Sequence, residues 1–265
     1  LNANLSYAEN NMLEVFQSDA ERDNPNRTRV GRPFGTPYGY KSLGLFSTAD
    51  DTNGDGIINS TDGYNVVQFG DLHPGDVRYA DLSGPDGTPD GIIDSNDQTV
   101  IGNPVYPSVT YGFNTTAEYK GFNLSLFFQG VANSDINIQT FLTSPFANNG
   151  SNTSYEYFNN RWTPDHQNAS YPRATPSPYS NNTQASDFWM VDTGYVRLKT
   201  AVLGYTLPKS VSEKLNMESI SLRLTGQNLF TISKLDFIDP ELGYTDRENS
   251  YPITKTLSFG VDISF

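Results

Sequence analysis

The chain has 265 residues, a formal net charge of −13 and a pI near 4.4, with 16 Tyr, 16 Phe and no cysteine. The aromatics separate it from disordered compositions, the acidic balance argues against a nucleic-acid partner, and the lack of cysteine excludes disulfides and thiolate metal sites. No apolar run approaches the roughly 20 residues that a membrane helix needs.

The first residues alternate Leu1, Ala3, Leu5 and Tyr7 with polar groups, as a strand does. With no initiator Met and no signal segment, this start reads as the middle of something. The next feature is DTNGDGIINSTD, from Asp51 to Asp62. In an EF-hand loop, positions one, three and five offer side-chain oxygens, position seven a backbone carbonyl, position nine a group that often acts through water, and position twelve a closing acid. Those places hold Asp51, Asn53, Asp55, Ile57, Asn59 and Asp62, with Gly56 at the sharp turn. Every donor is a hard oxygen, so calcium is the expected ion. The alternative is a solvated Asn-Gly, Asp-Gly turn.

A second acidic loop, DLSGPDGTPDGIIDSND, allows two registers. Counted from Asp86, the donors are Asp86, Thr88, Asp90, the Ile92 carbonyl, Asp94 and Asp97; counted from Asp81, with Ser83 third, the loop needs an insertion before Asp90. Thr88 is a weak ligand and Pro89 stiffens the turn, and the sequence leaves the choice open. Residues 48–102 are thus expected to form an acidic, EF-hand-like, calcium-binding loop region.

The long strands follow. Val109, Tyr111, Phe113, Thr115, Ala117 and Tyr119 share one face, a tight Lys120-Gly121 turn follows, and Phe122, Leu124, Leu126 and Phe128 return opposite Asn123, Ser125 and Gln129. YVRLKTAVLGYTL is another strand, its alternation slipping near Thr200 as at a bulge. KSVSEKLN reads as a short amphipathic helix. Ile220, Leu222 and Leu224 alternate with Ser221, Arg223 and Thr225, and the chain closes with Leu257, Phe259, Val261, Ile263 and Phe265 against Ser258, Gly260, Asp262 and Ser264.

Six long strands result. Their short links, at Lys120-Gly121 and from Pro208 to Glu218, fall on one side; the long ones, from Gln17 to Pro107, Gln139 to Asp187 and Ser233 to Thr256, fall on the other. Outer-membrane barrels have short periplasmic turns and long extracellular loops, and their lipid face alternates with a polar lumen face. The expected fold is therefore all-β: an antiparallel transmembrane β-barrel segment with long extracellular loops. Six strands cannot close, since about eight make the smallest such barrel, so the chain is expected to belong to a larger one.

The stretches GDVRYADL, GIIDSNDQTVIGNP, TYGFNTTAEYKGFNLSLFFQGVAN, NRWTPDHQNASYPR, SDFWMVDTGYVRLKTAVLGYTLPKS and LRLTGQNLFTISK, with the terminal aromatic strand, resemble SusC/RagA-type TonB-dependent outer-membrane transporters in kind and order. The resemblance implies the C-terminal part of a plugged barrel of about 22 strands. It also implies TonB-powered import of oligosaccharides or peptides, a SusD-like surface lipoprotein as lid, outer-membrane lipid around the strands and a periplasmic C-terminus. The plug and the TonB-contacting segment have no counterpart here, and GPDGTP interrupts the second acidic loop.

The competing reading is a secreted, calcium-dependent carbohydrate-binding β-sandwich module, which accounts for the acidic loops and aromatics but not for the one-sided loop lengths. Enzymatic activity is not expected: no nucleophile elbow, zinc-type His-Glu motif or phosphate loop is present, and His73 and His166 stand alone. The segment 148–173, rich in Tyr and Asn with Trp162, reads first as a packed polar loop and second as a ligand-stacking surface. Phe188, Trp189 and Tyr195 suit either an interfacial aromatic girdle or an anchor at a loop base.

Overall fold

The long alternating segments pair edge to edge in one antiparallel sheet. In the computed structural model, the described residues are 1–139, 144–146, 152–175, 181–235, 237–242, 251 and 253–265. Their strands, in chain order, are β1 (Asn2–Tyr7), β2 (Tyr38–Gly39), β3 (Ser42–Leu45), β4 (Val77–Tyr79), β5 (Thr99–Val100), β6 (Val109–Tyr119), β7 (Phe122–Ala132), β8 (Asp135–Asn137), β9 (Met190–Asp192), β10 (Tyr195–Thr206), β11 (Ser219–Gln227), β12 (Thr231–Ser233) and β13 (Thr256–Ser264). They fall into two units, one of residues 1–9, 106–134 and 192–265, the other of residues 10–105 and 135–191.

The first unit is the sheet, ordered β1-β6-β7-β10-β11-β13, with β12 also paired to β10. Its registers bring the six alternating patterns into one continuous face. Leu5 lies opposite Tyr111, Phe113 opposite Phe128, Leu124 opposite Leu203, Leu203 opposite Leu224, and Leu224 opposite Phe259. Since side chains alternate strictly, any one-residue slip would turn a whole strand's apolar set to the other side. The opposite face carries Asn114, Ser125, Thr225 and Ser258, and there Arg223 forms an ion pair with Asp262.

Local chemistry sets the connections. Lys120 and Gly121 both have positive φ, 48° and 85°, as a two-residue type I′ hairpin requires. A side chain at Gly121 would also run into the Thr206 carbonyl, at 2.7 Å. The register of β10 against β7 shifts between Leu198 and Thr200, where the alternation slips. The KSVSEKLN segment forms a one-turn helix, Lys209–Ser212, then a 3-10 turn, Glu213–Leu215, ended by Asn216 at φ 56°. One strand was not expected: past Asn228, at φ 51°, the chain returns to the sheet as β12 and pairs with Tyr195–Arg197.

The second unit holds the acidic loops and is organised around aromatics. Tyr40, Val77, Tyr79 and Ile93 form one buried cluster, with Leu45, Val66, Phe69 and Phe188 against it; Phe46, Ile58 and Leu72 form another beside Tyr64. Among the described residues only short strand pairs occur here, β2 with β5, β3 with β4 and β8 with β9, so several buried backbone groups take side-chain partners. Around β4, Asn182 Oδ1 accepts from Val77 N–H (2.9 Å), Gln68 Oε1 accepts from Tyr79 N–H (2.6 Å), and Asn181 Nδ2 donates to the Val77 carbonyl (2.7 Å). Asp76, fully buried, accepts from Asn182 Nδ2 and the Arg173 guanidinium. Burial also raises the Tyr79 and Tyr157 phenols above their ordinary range.

Trp162 and Trp189 are buried in this unit, and Phe188 packs on the Tyr40 cluster. These aromatics anchor loops, so the girdle reading of Phe188 and Trp189 does not hold. Trp162 and the short helix Tyr155–Asn160 show that residues 152–173 are a packed loop; residues 148–151 of that segment lie outside the described ones.

Candidate functional site

Each acidic loop is closed by its last acid and pinned to the aromatic core by one isoleucine. In the first, Asp51 Oδ2 accepts from Gly56 N–H and Oδ1 from Gly54 N–H, both at 2.8 Å. Asn53 Oδ1 accepts from Asp55 N–H, and Asp55 Oδ1 from Ile57 N–H. Asp62 Oδ1 reaches back to Thr52 N–H (2.8 Å) and Asn53 N–H (3.3 Å), while Oδ2 takes Asn59 N–H. Gly56 sits at φ 85°, the left-handed conformation that the sixth position of such a loop demands. The neighbouring Ile58 is buried beside Phe46 and Leu72.

The second loop repeats this scheme from Asp81, not Asp86. Asp81 Oδ2 accepts from Gly91 N–H (2.6 Å), as Asp51 does from Gly56. Asp97 Oδ1 takes Leu82 N–H (2.7 Å) and Ser83 N–H (3.1 Å), as Asp62 takes those of Thr52 and Asn53. Asp90 Oδ1 accepts from Ile92 N–H, and Asp94 Oδ1 from Asn96 N–H. Asp86 instead bonds only Thr88, through its hydroxyl (2.8 Å) and N–H (3.2 Å), at the tip of the GPDGTP insertion, which closes on itself with Gly84 N–H to the Thr88 carbonyl. In its hydrogen bonding the loop therefore follows the register from Asp81 and Ser83, not the one from Asp86 through Thr88. The insertion is accommodated because the hydrogen bonds on either side of it match those of the first loop, which sequence spacing alone could not show.

Asp97 is fully buried while Asp62 is not, so the second loop's closing acid sits deeper than the first's. At Asp62, partial burial raises the carboxyl pKa, but hydrogen bonds from Asn59 N–H and from the Thr52 hydroxyl and N–H outweigh it and hold the group below the usual range. The Asp86 carboxyl is likewise held low, by the Thr88 hydroxyl and N–H. Among the described residues, no three acidic or imidazole side chains already converge into a cage. The donor chemistry nevertheless suits a hard divalent cation. Asp51, Asn53, Asp55 and Asp62 lie on one loop, and the Asp51 carboxylate makes two hydrogen bonds where about four lone-pair positions exist. Charge is concentrated here: residues 50–97 hold eleven acids against Arg78 alone.

Sequence reading also missed two tethers. His73 Nδ1 bonds the Gly56 carbonyl at 2.6 Å, and Asp76, three residues on, pairs with Arg173. In the sheet unit, Arg197 is 3% exposed and is held by Asp239 (2.7 Å), Glu241 and the Thr231 hydroxyl (2.7 Å), with Lys199 also on Glu241. An Arg followed two residues later by a Lys on one strand was the available signal, but its acidic partners lie more than 40 residues away.

The sheet's apolar face is uncovered among the described residues. Leu5 is 73% exposed, Leu257 and Phe259 each 68%, and Val261 and Ile263 nearly half. A sandwich would bury this face against a second sheet, so the sandwich expectation fails. No described helix is long and apolar enough to cross a membrane.

No protein-family model matches the sequence. TonB-dependent receptor P3 of Formosa agariphila is 30% identical over 249 residues, which cover 89% of this chain and 23% of that protein. The chain is homologous to the TonB-dependent receptors. Receptor P26 of the same organism is 28% identical over 90% of this chain and 23% of its own length, and P39 is 26% identical over 99% and 28%. The chain thus spans about a quarter of the length of the curated relatives it matches. Among solved structures, the RagAB peptide transporter matches 99% of this chain and 27% of its own chain, with a TM-score of 0.66 at 21% identity. The RagAB peptide importer in its open-open state gives 0.66 at 22%. The SusC/RagA-type resemblance holds, and the TonB-dependent receptor homologue has the fold of one part of such a transporter.

Proposed function

We propose that this chain forms six adjacent strands, with their outer loops, in the wall of a TonB-dependent outer-membrane importer. The observation that carries this is the sheet: six strands in one register expose a continuous apolar face, and their other face is polar. Lipid is the solvent in which that arrangement is favourable. The reading places β1, β6, β7, β10, β11 and β13 in the C-terminal part of a plugged barrel of about 22 strands. It puts the C-terminus in the periplasm and the long loops outside the cell. The cargo is an oligosaccharide or peptide, and a SusD-like lipoprotein caps the mouth; the likeness to RagAB, a peptide transporter, supports the transport class. The two acidic loops each hold a calcium ion, the first through Asp51, Asn53, Asp55, the Ile57 carbonyl, Asn59 and Asp62, the second through Asp81, Asp90, the Ile92 carbonyl, Asp94 and Asp97. Bound calcium would neutralise the densest negative charge of the chain and brace loops whose core is small.

Two measurements test this on the full-length protein. Asp86 stands on an exposed tip and the chain has no cysteine, so Asp86→Cys should react with an impermeant maleimide on intact cells. Reaction only after the outer membrane is opened would reverse the sidedness. In calorimetry, Asp51→Asn and Asp81→Asn should each abolish one calcium-binding event, while Asp86→Asn keeps both; unchanged heats in all three would remove calcium from the proposal.

A further inference from the structure

The third and fourth places of the first acidic loop are an Asn-Gly pair, Asn53–Gly54. Gly54 has no side chain to shield its nitrogen, sits at φ 74° with nothing within 4 Å of where a Cβ would stand, and is exposed, as Asn53 is. We propose that Asn53 is a deamidation site, and that closure of the loop determines how fast it reacts. In the reaction the deprotonated Gly54 nitrogen attacks Cγ of Asn53. The new N–Cγ bond forms, the Cγ–Nδ2 bond breaks, and ammonia departs with the proton, leaving a succinimide. Water then opens the ring, at Cγ to give aspartate or at the backbone carbonyl to give isoaspartate. One water is consumed, one ammonia is released and one negative charge appears.

The closed loop opposes each requirement of that attack. Gly54 N–H donates to Asp51 Oδ1 at 2.8 Å, so its proton is held by a carboxylate that disfavours its loss. The Asn53 amide is fixed at both ends: Oδ1 accepts from Asp55 N–H (2.8 Å), and Nδ2 donates to Asp55 Oδ2 and Thr61 Oγ1 (both 3.0 Å). Reaction therefore proceeds from the opened loop, at a rate proportional to its population. The product inverts the local electrostatics. The amide that donated to the Asp55 carboxylate becomes a second carboxylate beside it, so the ion-free loop loses a hydrogen bond and gains a like-charge contact. A divalent cation would relieve that repulsion. The isoaspartate product adds a backbone carbon and displaces the donors on either side.

The cation arm rests on the calcium reading above; the modification does not. Full-length protein would be aged in mildly alkaline buffer, with a chelator or with calcium at about ten times its dissociation constant, and the peptide spanning Asn53 mapped by mass spectrometry with aspartate and isoaspartate resolved. Asn53 should convert in chelator and about tenfold more slowly in calcium, because the cation lowers the open fraction by that factor. Asn53→Gln should abolish conversion in this peptide. Absence of conversion at Asn53 in chelator would overturn the proposal. Conversion at equal rates with and without calcium would keep the modification site and remove the cation from this loop.

Discussion

The two units treat large apolar residues in opposite ways. In the sheet, Phe259 and Leu257 point outward and stay exposed; in the loop unit, Tyr79, Phe46 and Trp189 are buried to 2% exposure or less. The sheet satisfies its backbone by strand pairing and can turn apolar groups to its surroundings. The loop unit has little regular pairing, so it uses Gln68, Asn181, Asn182 and Asp76 as backbone partners and must build a core around them. Under the proposed reading the difference follows from solvent: hydrocarbon on one side of the sheet, water around the loop unit.

That contrast can be broken at several points. Largest, Arg197→Ala should cost about 3–5 kcal/mol, since it leaves Asp239 and Glu241 without their shared cation; the residues near 231–242 should become protease-sensitive, and an unchanged cleavage pattern would refute the tether. Tyr79→Ala should cost a similar ~3–5 kcal/mol, but in the loop unit alone. Heat-modifiable mobility of the full-length protein should survive while cleavage within residues 40–100 rises. Next, Val261→Arg places a charge on the apolar face and should cost about 2–4 kcal/mol if that residue lies near the bilayer midplane, seen as less heat-modifiable protein in the outer membrane. Normal folding of this variant would mean that the face does not meet lipid.

Acid sharpens the comparison more gently. The folded Asp62 carboxyl titrates below its unfolded value, so its contribution is present above the unfolded pKa and is lost as pH falls through the folded one. Closure of the first loop, followed by protease protection near Gly54, should persist into the lower carboxylate range and then fail. Asp62→Asn should remove that acid transition while the sheet's heat-modifiability stays unchanged. Smallest, Asp262→Asn breaks an exposed ion pair with Arg223 on the polar face and should cost at most about 1 kcal/mol, in contrast to its neighbour Val261→Arg. A large loss from Asp262→Asn would assign the two faces the wrong way round.

The strands were legible because alternation is local. Leu257 to Phe265 declares its two faces without reference to any other residue, and the Lys120-Gly121 turn and the Thr200 bulge are likewise written in neighbouring residues. The first acidic loop was legible in position for the same reason, since its donors are spaced within twelve residues. The second loop was not, because an insertion changes spacing without changing which N–H groups a carboxylate reaches. Only the fold paired Asp97 with Leu82 and Ser83 and so selected Asp81 over Asp86. The same holds for β12, for Asn181 and Asn182 against β4, and for Arg197 with Asp239 and Glu241. Each joins residues far apart in sequence through one or two polar atoms, and such contacts leave no periodic trace. By itself the sequence determined the six long strands and the side each of their residues faces, because β geometry has a period of two. Which distant polar groups meet was decided by tertiary structure, because buried donors and acceptors are matched by position in space and not by spacing along the chain.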